Sequence, residues 1–118
     1  MTRYVDAYVV PVPRAKLAEY RTMARQAGAI WKEYGALEYH EAVADDVKPG
    51  KVTSFPQSVQ LKPDETVVFG WAVFNSREQR DEVNDKVMKD PRMKMDPKTA
   101  PFDMQRMFWG GFETAIEL

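Results

Sequence analysis

The ten residues Glu65–Phe74, ETVVFGWAVF, constrain this chain more than any others, because they read as a strand with apolar side chains on both faces. Side chains alternate across a pleat, so Val67, Phe69, Trp71 and Val73 point one way and Val68, Gly70, Ala72 and Phe74 the other. Such a strand needs two covers. A chain of 118 residues is expected to be a single domain, 1–118, with helices enough for one side only. The second face should then meet another subunit, a closed pocket, or both.

The flanking sequence supplies the rest of a sheet. Residues 3–10 (RYVDAYVV) are rich in Tyr and Val and read as a first strand cut off by Pro11 and Pro13. Pro13 suits the first turn of a helix, and Leu17, Tyr20, Ala24, Ala27, Trp31 and Tyr34 recur at three- and four-residue intervals up to a stop at Gly35. Residues 36–44 alternate, with Leu37, Tyr39, Glu41 and Val43 on one side and Glu38, His40 and Ala42 on the other, as in a half-exposed strand. Residues 45–64 carry Pro49, Gly50, Pro56 and Pro63 and exceed the usual length of a connection, which suggests a lid or surface loop. After Glu65–Phe74, Ser76 can cap a second helix with Gln79 as its capping-box partner, and Val83, Val87 and Met88 give that helix a narrow apolar stripe. Residues 105–116 (QRMFWGGFETAI) read as a fourth strand with a bulge or close approach at Gly110-Gly111.

The order strand, helix, strand, strand, helix, strand predicts an α+β, ferredoxin-like split βαββαβ fold, a four-stranded antiparallel sheet with both helices on one face. Burying the naked face against a second copy would make a dimeric α/β barrel. The expected partner is therefore another molecule of this chain, through the open sheet face.

Composition narrows the remaining partners. Seventeen basic against eighteen acidic residues leave a formal charge of −1, so no overall field attracts nucleic acid or an anionic membrane. Arg77, Arg80, Lys86, Lys89, Arg92 and Lys94 alternate with Glu78, Asp81, Glu82, Asp85 and Asp90, a solvated mixed-charge face rather than a phosphate-binding stripe. No apolar run approaches the roughly 18 to 20 residues of a membrane span, and the start lacks the order of a signal peptide, so a cytoplasmic location is expected. The absence of cysteine removes disulfides, thiol nucleophiles and thiolate metal sites. Met88, Met93, Met95, Met104 and Met107 crowd together without a nearby Cys or His, which favours packing or an adaptable interface over copper; no metal or cofactor is expected.

Several stretches, in order along the chain, carry a resemblance to a known family: YVDAYVVPVP at 4–13, KEYGAL at 32–37, GKVTSF at 50–55, VVFGW at 67–71, DPRMK at 90–94 and PFDMQRMFWGGFE at 101–113. They resemble the bacterial YbaA-like proteins, a family without an assigned biochemical function. That family is similar to the dimeric α/β-barrel superfamily, which includes small cofactor-free monooxygenases, haem enzymes and stress-response binding proteins. Where the family's last motif looks like MPFDGKRM, Ala100, Met104 and Gln105 replace its Met, Gly and Lys, while Arg106 remains. Losing that Lys weakens the idea of an anion held there, and Met104 argues against a positive-φ backbone. Gly70 stands where the family often has Ser, which would leave room beside Trp71.

Three residues are candidates for chemistry. His40, the sole histidine, titrates nearest neutrality and is the first candidate for general acid or base, although its place on a strand suits a surface or interface residue better. Asp6 shares a face with Tyr4 and Tyr8 on an apolar strand, and a carboxylate there needs a partner. Arg106, across the fourth strand, is the expected one, either as a structural pair or as part of a substrate site. With Asp6, His40 and Arg106 as catalytic candidates, Tyr8, Trp71 and Trp109 would supply an aromatic ligand-binding wall. The reading is a homodimer that binds a small apolar or aromatic ligand. The alternative is a cofactor-free monooxygenase-like or isomerase-like enzyme with Asp6 or His40 as base and Arg106 stabilising the anion; a structural or regulatory dimer, or an RNA-associated protein, ranks below both.

Overall fold

The computed structural model describes residues 2–118 and contains strands β1 (Tyr4–Pro13), β2 (Glu38–Val43), β3 (Glu65–Phe74) and β4 (Phe108–Glu113). Helices α1 (Leu17–Tyr34), the single-turn α2 (Phe55–Ser58) and α3 (Arg77–Lys89) lie between them. The strands pair antiparallel in the order β2-β3-β1-β4, which is the ferredoxin-like arrangement with β1 and β3 in the centre. Both long helices cover one face. Val10, Val12 and Val68 pack against Tyr20 and Ala24 of α1, and Ala72 and Phe74 pack against Ile30 of α1 and Val83 and Val87 of α3.

Local chemistry explains most boundaries. Gly35 closes α1 at φ +123°, a conformation that costs a glycine little, and its N–H bonds to the Trp31 and Lys32 carbonyls. Ser76 caps α3 by accepting from the Gln79 N–H at 3.1 Å, while Gln79 reaches back to accept from the Asn75 N–H at 2.6 Å.

Two expectations change. β1 runs through Pro11 and Pro13 instead of ending before them. The Pro11 carbonyl accepts from the Asp103 N–H on the β4 side, so its ring nitrogen, and that of Pro13 two residues on, faces the edge where β4 has already stopped pairing at Val9–Phe108. No ladder bond is lost there. β4 is shorter than residues 105–116, and its register from Tyr4–Glu113 to Val9–Phe108 is unbroken, so Gly110-Gly111 makes no bulge. The close approach is real: a Cβ on Gly111 would lie 2.4 Å from the Tyr4 hydroxyl.

On the other face, Val5, Ala7 and Val9 of β1 lie in register with Val73, Trp71 and Phe69 of β3 and with Phe112, Gly110 and Phe108 of β4. Segment 45–64 folds over one end of this face, where Val59 and Leu61 join Val9, Val67 and Phe69. Phe55 of α2 meets Phe69 edge-on at 6.1 Å. The rest is uncovered, with Phe108 45% and Phe112 60% exposed.

Candidate functional site

Beneath α1, on the helix-covered face, the edge strand β2 turns Tyr39, Glu41 and Val43 inward. They form one wall of an open groove of about 830 Å³ whose other wall is α1, with Tyr20, Arg21, Ala24, Arg25, Gly28 and Lys32. Its polar centre is Glu41 with Tyr20 and Tyr39, and Tyr8, which does not line the groove, joins them through Tyr39. The Tyr39 hydroxyl donates to Glu41 Oε2 at 2.8 Å, the Tyr20 hydroxyl donates to Glu41 Oε1, and the Tyr8 hydroxyl lies 2.7 Å from that of Tyr39. Because the Tyr39 proton is committed to Glu41, Tyr8 must be the donor in the third bond. All protons in the cluster therefore point toward Glu41. Burial raises the pKa of Tyr8, Tyr20 and Tyr39, reinforced for each by the charge of Glu41, so the phenols stay neutral donors.

Two glycines seat this cluster. Tyr8 of β1 leans across β3 at Gly70, where a Cβ would lie 2.2 Å from the Tyr8 ring, and Tyr39 packs on Gly28 of α1, where a Cβ would lie 2.5 Å from Tyr39 Cδ1. The space at Gly70 is thus taken up by Tyr8 and not offered to Trp71, which is on the opposite face. Trp31, three residues further along α1, stacks on Tyr39 at 5.9 Å.

The other candidate residues are dispersed. Asp6 does not reach Arg106; Arg80 Nη1 of α3 donates to Asp6 Oδ1 at 2.6 Å and Asn84 Nδ2 to Oδ2 at 3.0 Å. Asn84 in turn accepts from Trp31 Nε1 at 2.9 Å, so the buried carboxylate ties both helices to β1. Arg106 lies before β4 and forms a two-pronged pair with Glu65, at 2.6 and 2.8 Å, while also donating to Asp103 and to the carbonyls of Val59 and Gln60. Its hydrogen bond holds the Glu65 carboxyl below the usual range. His40 stacks on Trp71 at 4.7 Å on the open face and meets Glu38 Oε1 at 3.1 Å. Trp109 is opposite Tyr8 in register but on the outer edge of the sheet, 63% exposed. Asp6, Tyr8 and Trp109 therefore share one face, Trp71 and His40 the other, and Arg106 neither.

Tyr20, Tyr39 and Glu41 read in the sequence only as members of a helix face and an alternating strand. The available signal was Gly28, a residue unfavourable inside a helix by about 1 kcal/mol against Ala, and therefore a mark of close packing. Among the described residues, no three His, Asp or Glu side chains converge as a metal site, and no helix is long and apolar enough to cross a membrane.

A family model described as "Protein of unknown function (DUF1428)" matches residues 3–104. The chain is 48% identical over 115 residues to "Uncharacterized protein YbaA" of Escherichia coli K12, covering 98% of both chains, and equally to the Shigella flexneri protein of that name. Among solved structures it is similar to a dimeric ferredoxin-like protein from an uncultured marine organism, with TM-score 0.64 and 9% identity over the full length of both chains. A nipsnap family protein of unknown function from Agrobacterium tumefaciens is also similar, with TM-score 0.57 and 12% identity, covering 96% of this chain and 88% of that one.

Proposed function

The chain belongs to the DUF1428 family of proteins of unknown function, and on that premise we propose that it is a homodimer that takes a small apolar or aromatic molecule into the groove between α1 and β2. The groove carries this reading. Its volume of about 830 Å³ falls within the usual range for small-ligand sites, its walls include Ala24, Val43 and Val68, and its polar groups converge on Glu41.

Dimerisation is supported by the uncovered sheet face. Phe69, Trp71, Phe108 and Phe112 form one apolar surface with Val5 and Ala7, and contiguous patches of this kind on soluble proteins mark association sites. A second copy is the occupant we favour because a protein of the same fold, from a marine organism, is described as dimeric. Light scattering coupled to size exclusion should give twice the 13.6 kDa chain mass, and native mass spectrometry should release a small molecule. A monomer would remove the dimer; a ligand-free chain that takes up no aromatic compound from a library would remove the binding reading.

The enzymatic alternative, a cofactor-free oxygenase or isomerase, draws support from one observation: of the titratable groups lining the groove, His40 stacks on Trp71 across the sheet, while the carboxylate Glu41 is turned toward α1. Asp6 and Arg106 are paired with protein partners away from the groove, whereas Glu41, although it accepts from Tyr20 and Tyr39, lines the groove and is the base to test. Substrate turnover abolished by Glu41→Gln with binding retained would favour this reading.

A further inference from the structure

The charges around the groove identify the chemistry of what fills it. Resting on the groove reading above, we infer that the ligand is a small hydroxyaromatic acid, its anionic group held by Arg21 and Arg25 at the mouth and its hydroxyl donating to Glu41 at the floor.

The lining carries three cationic side chains, Arg21, Arg25 and Lys32, against two carboxylates, Glu38 and Glu41. Most of these are already committed. Lys32 donates to the Leu37 carbonyl at 2.7 Å, Glu38 is paired with Arg3 and His40, and Glu41 receives two phenol protons. Arg21 and Arg25 differ from the rest. They stand one turn apart on α1, both are exposed, and among the described residues neither takes part in a salt bridge or a side-chain hydrogen bond. Two uncommitted guanidinium groups on one helical face suit a planar carboxylate, which each can engage through two donors.

The floor sets the other end. Each oxygen of Glu41 accepts one phenol and keeps a second lone-pair direction, so it can take a ligand donor but not a ligand anion. The same groove is lined by Ala24, Gly28, Val43 and Val68, small or apolar, and by the flat ring of Tyr39. A purely aliphatic neutral molecule would use the walls and leave both ends idle. An inorganic anion would use the mouth and nothing else.

The test uses the full chain and three acids, 4-hydroxybenzoate, 4-hydroxyphenylacetate and 3-(4-hydroxyphenyl)propionate, each beside its primary amide. Isothermal titration should show at least one acid bound on the order of tenfold or more tighter than its amide, the size expected for a charge-assisted pair. That preference should vanish in Arg21→Gln/Arg25→Gln while the amide affinity is unchanged, and backbone NMR shifts should centre on Tyr39 and Val43. Acid and amide binding alike, with the same shifts, would overturn the inference and leave the groove reading standing. Shifts from none of the six compounds would overturn both.

Discussion

The Tyr8 hydroxyl on β1 and the Tyr39 hydroxyl on β2 lie 2.7 Å apart, although β3 separates their strands. Neighbouring strands are about 4.8 Å apart, so the contact spans two spacings, and it exists because Gly70 leaves its face of β3 bare for the Tyr8 ring. That bridge, continued to Glu41 and Tyr20, joins a central strand, an edge strand and α1 through hydroxyl protons that all converge on Glu41.

Direction makes the bridge testable. Tyr39→Phe removes the acceptor of Tyr8 and a donor to Glu41, and should cost about 1–3 kcal/mol in urea denaturation, the usual result of leaving buried polar groups unpaired. Tyr8→Phe leaves the Tyr39–Glu41 bond intact and should cost only about 0.5–1.5 kcal/mol. Equal losses would contradict the assigned direction.

Gly28→Ala sets two effects against each other. Helix propensity favours alanine by about 1 kcal/mol, but the new methyl would stand 2.5 Å from Tyr39 Cδ1, and overpacking commonly costs about 1–3 kcal/mol. Three atoms of the Tyr39 ring lie within 3.1 Å of that methyl, and the ring also stacks on Trp31, which leaves it little room to yield. The variant should therefore melt lower and show displaced Tyr39 resonances, whereas a higher melting temperature would mean that the ring moves freely.

The buried pair of Asp6 and Arg80 should respond asymmetrically. Arg80→Met leaves the carboxylate with Asn84 alone and is expected to destabilise by about 3–5 kcal/mol. Adding Asp6→Leu should recover a good part of that loss, since an apolar pair needs no compensation. A double variant as unstable as the single one would show that geometry, not stranded charge, sets the cost.

Acid should loosen segment 45–64 through Glu65. Arg106 lowers the folded-state pKa of this carboxyl, so its contribution is complete above the unfolded value of about 4.3 and fades as pH falls through the depressed one. Arg106→Gln should flatten the stability profile below about pH 4 and speed amide exchange at Val59 and Gln60, whose carbonyls Arg106 also holds. A profile unchanged by the substitution would place the acid sensitivity elsewhere.

On the open face, Trp71→Glu should convert the proposed dimer to a folded monomer in sedimentation experiments. Met88, 66% exposed on α3, is on the opposite side of the molecule's sheet, and Met88→Glu should leave the mass unchanged. Dissociation by both would indicate general destabilisation instead of a specific interface.

Much of this fold is legible in the residues themselves. The double-faced β3, the alternation of Tyr39, Glu41 and Val43, the stop at Gly35 and the Ser76 cap are all short-range signals, read from neighbours within a turn or a pleat. The site was harder to see for the same reason. Asp6 plainly needed a partner, but Arg80 and Arg106 were both available, and the choice depended on how α3 is phased over β1.

By itself, then, the sequence determined which elements form, the faces of β1, β2 and β3, and the presence of an apolar sheet surface beyond what two helices cover. Only tertiary structure decided that Tyr8, Tyr20, Tyr39 and Glu41 meet, that Trp71 and His40 lie across the sheet from them, and that Arg106 clamps a loop. The physical reason is reach. Periodicity records where a side chain points relative to its own strand or helix, whereas register, helix phase and the bare surface of a glycine two strands away are set by the packing of the whole chain.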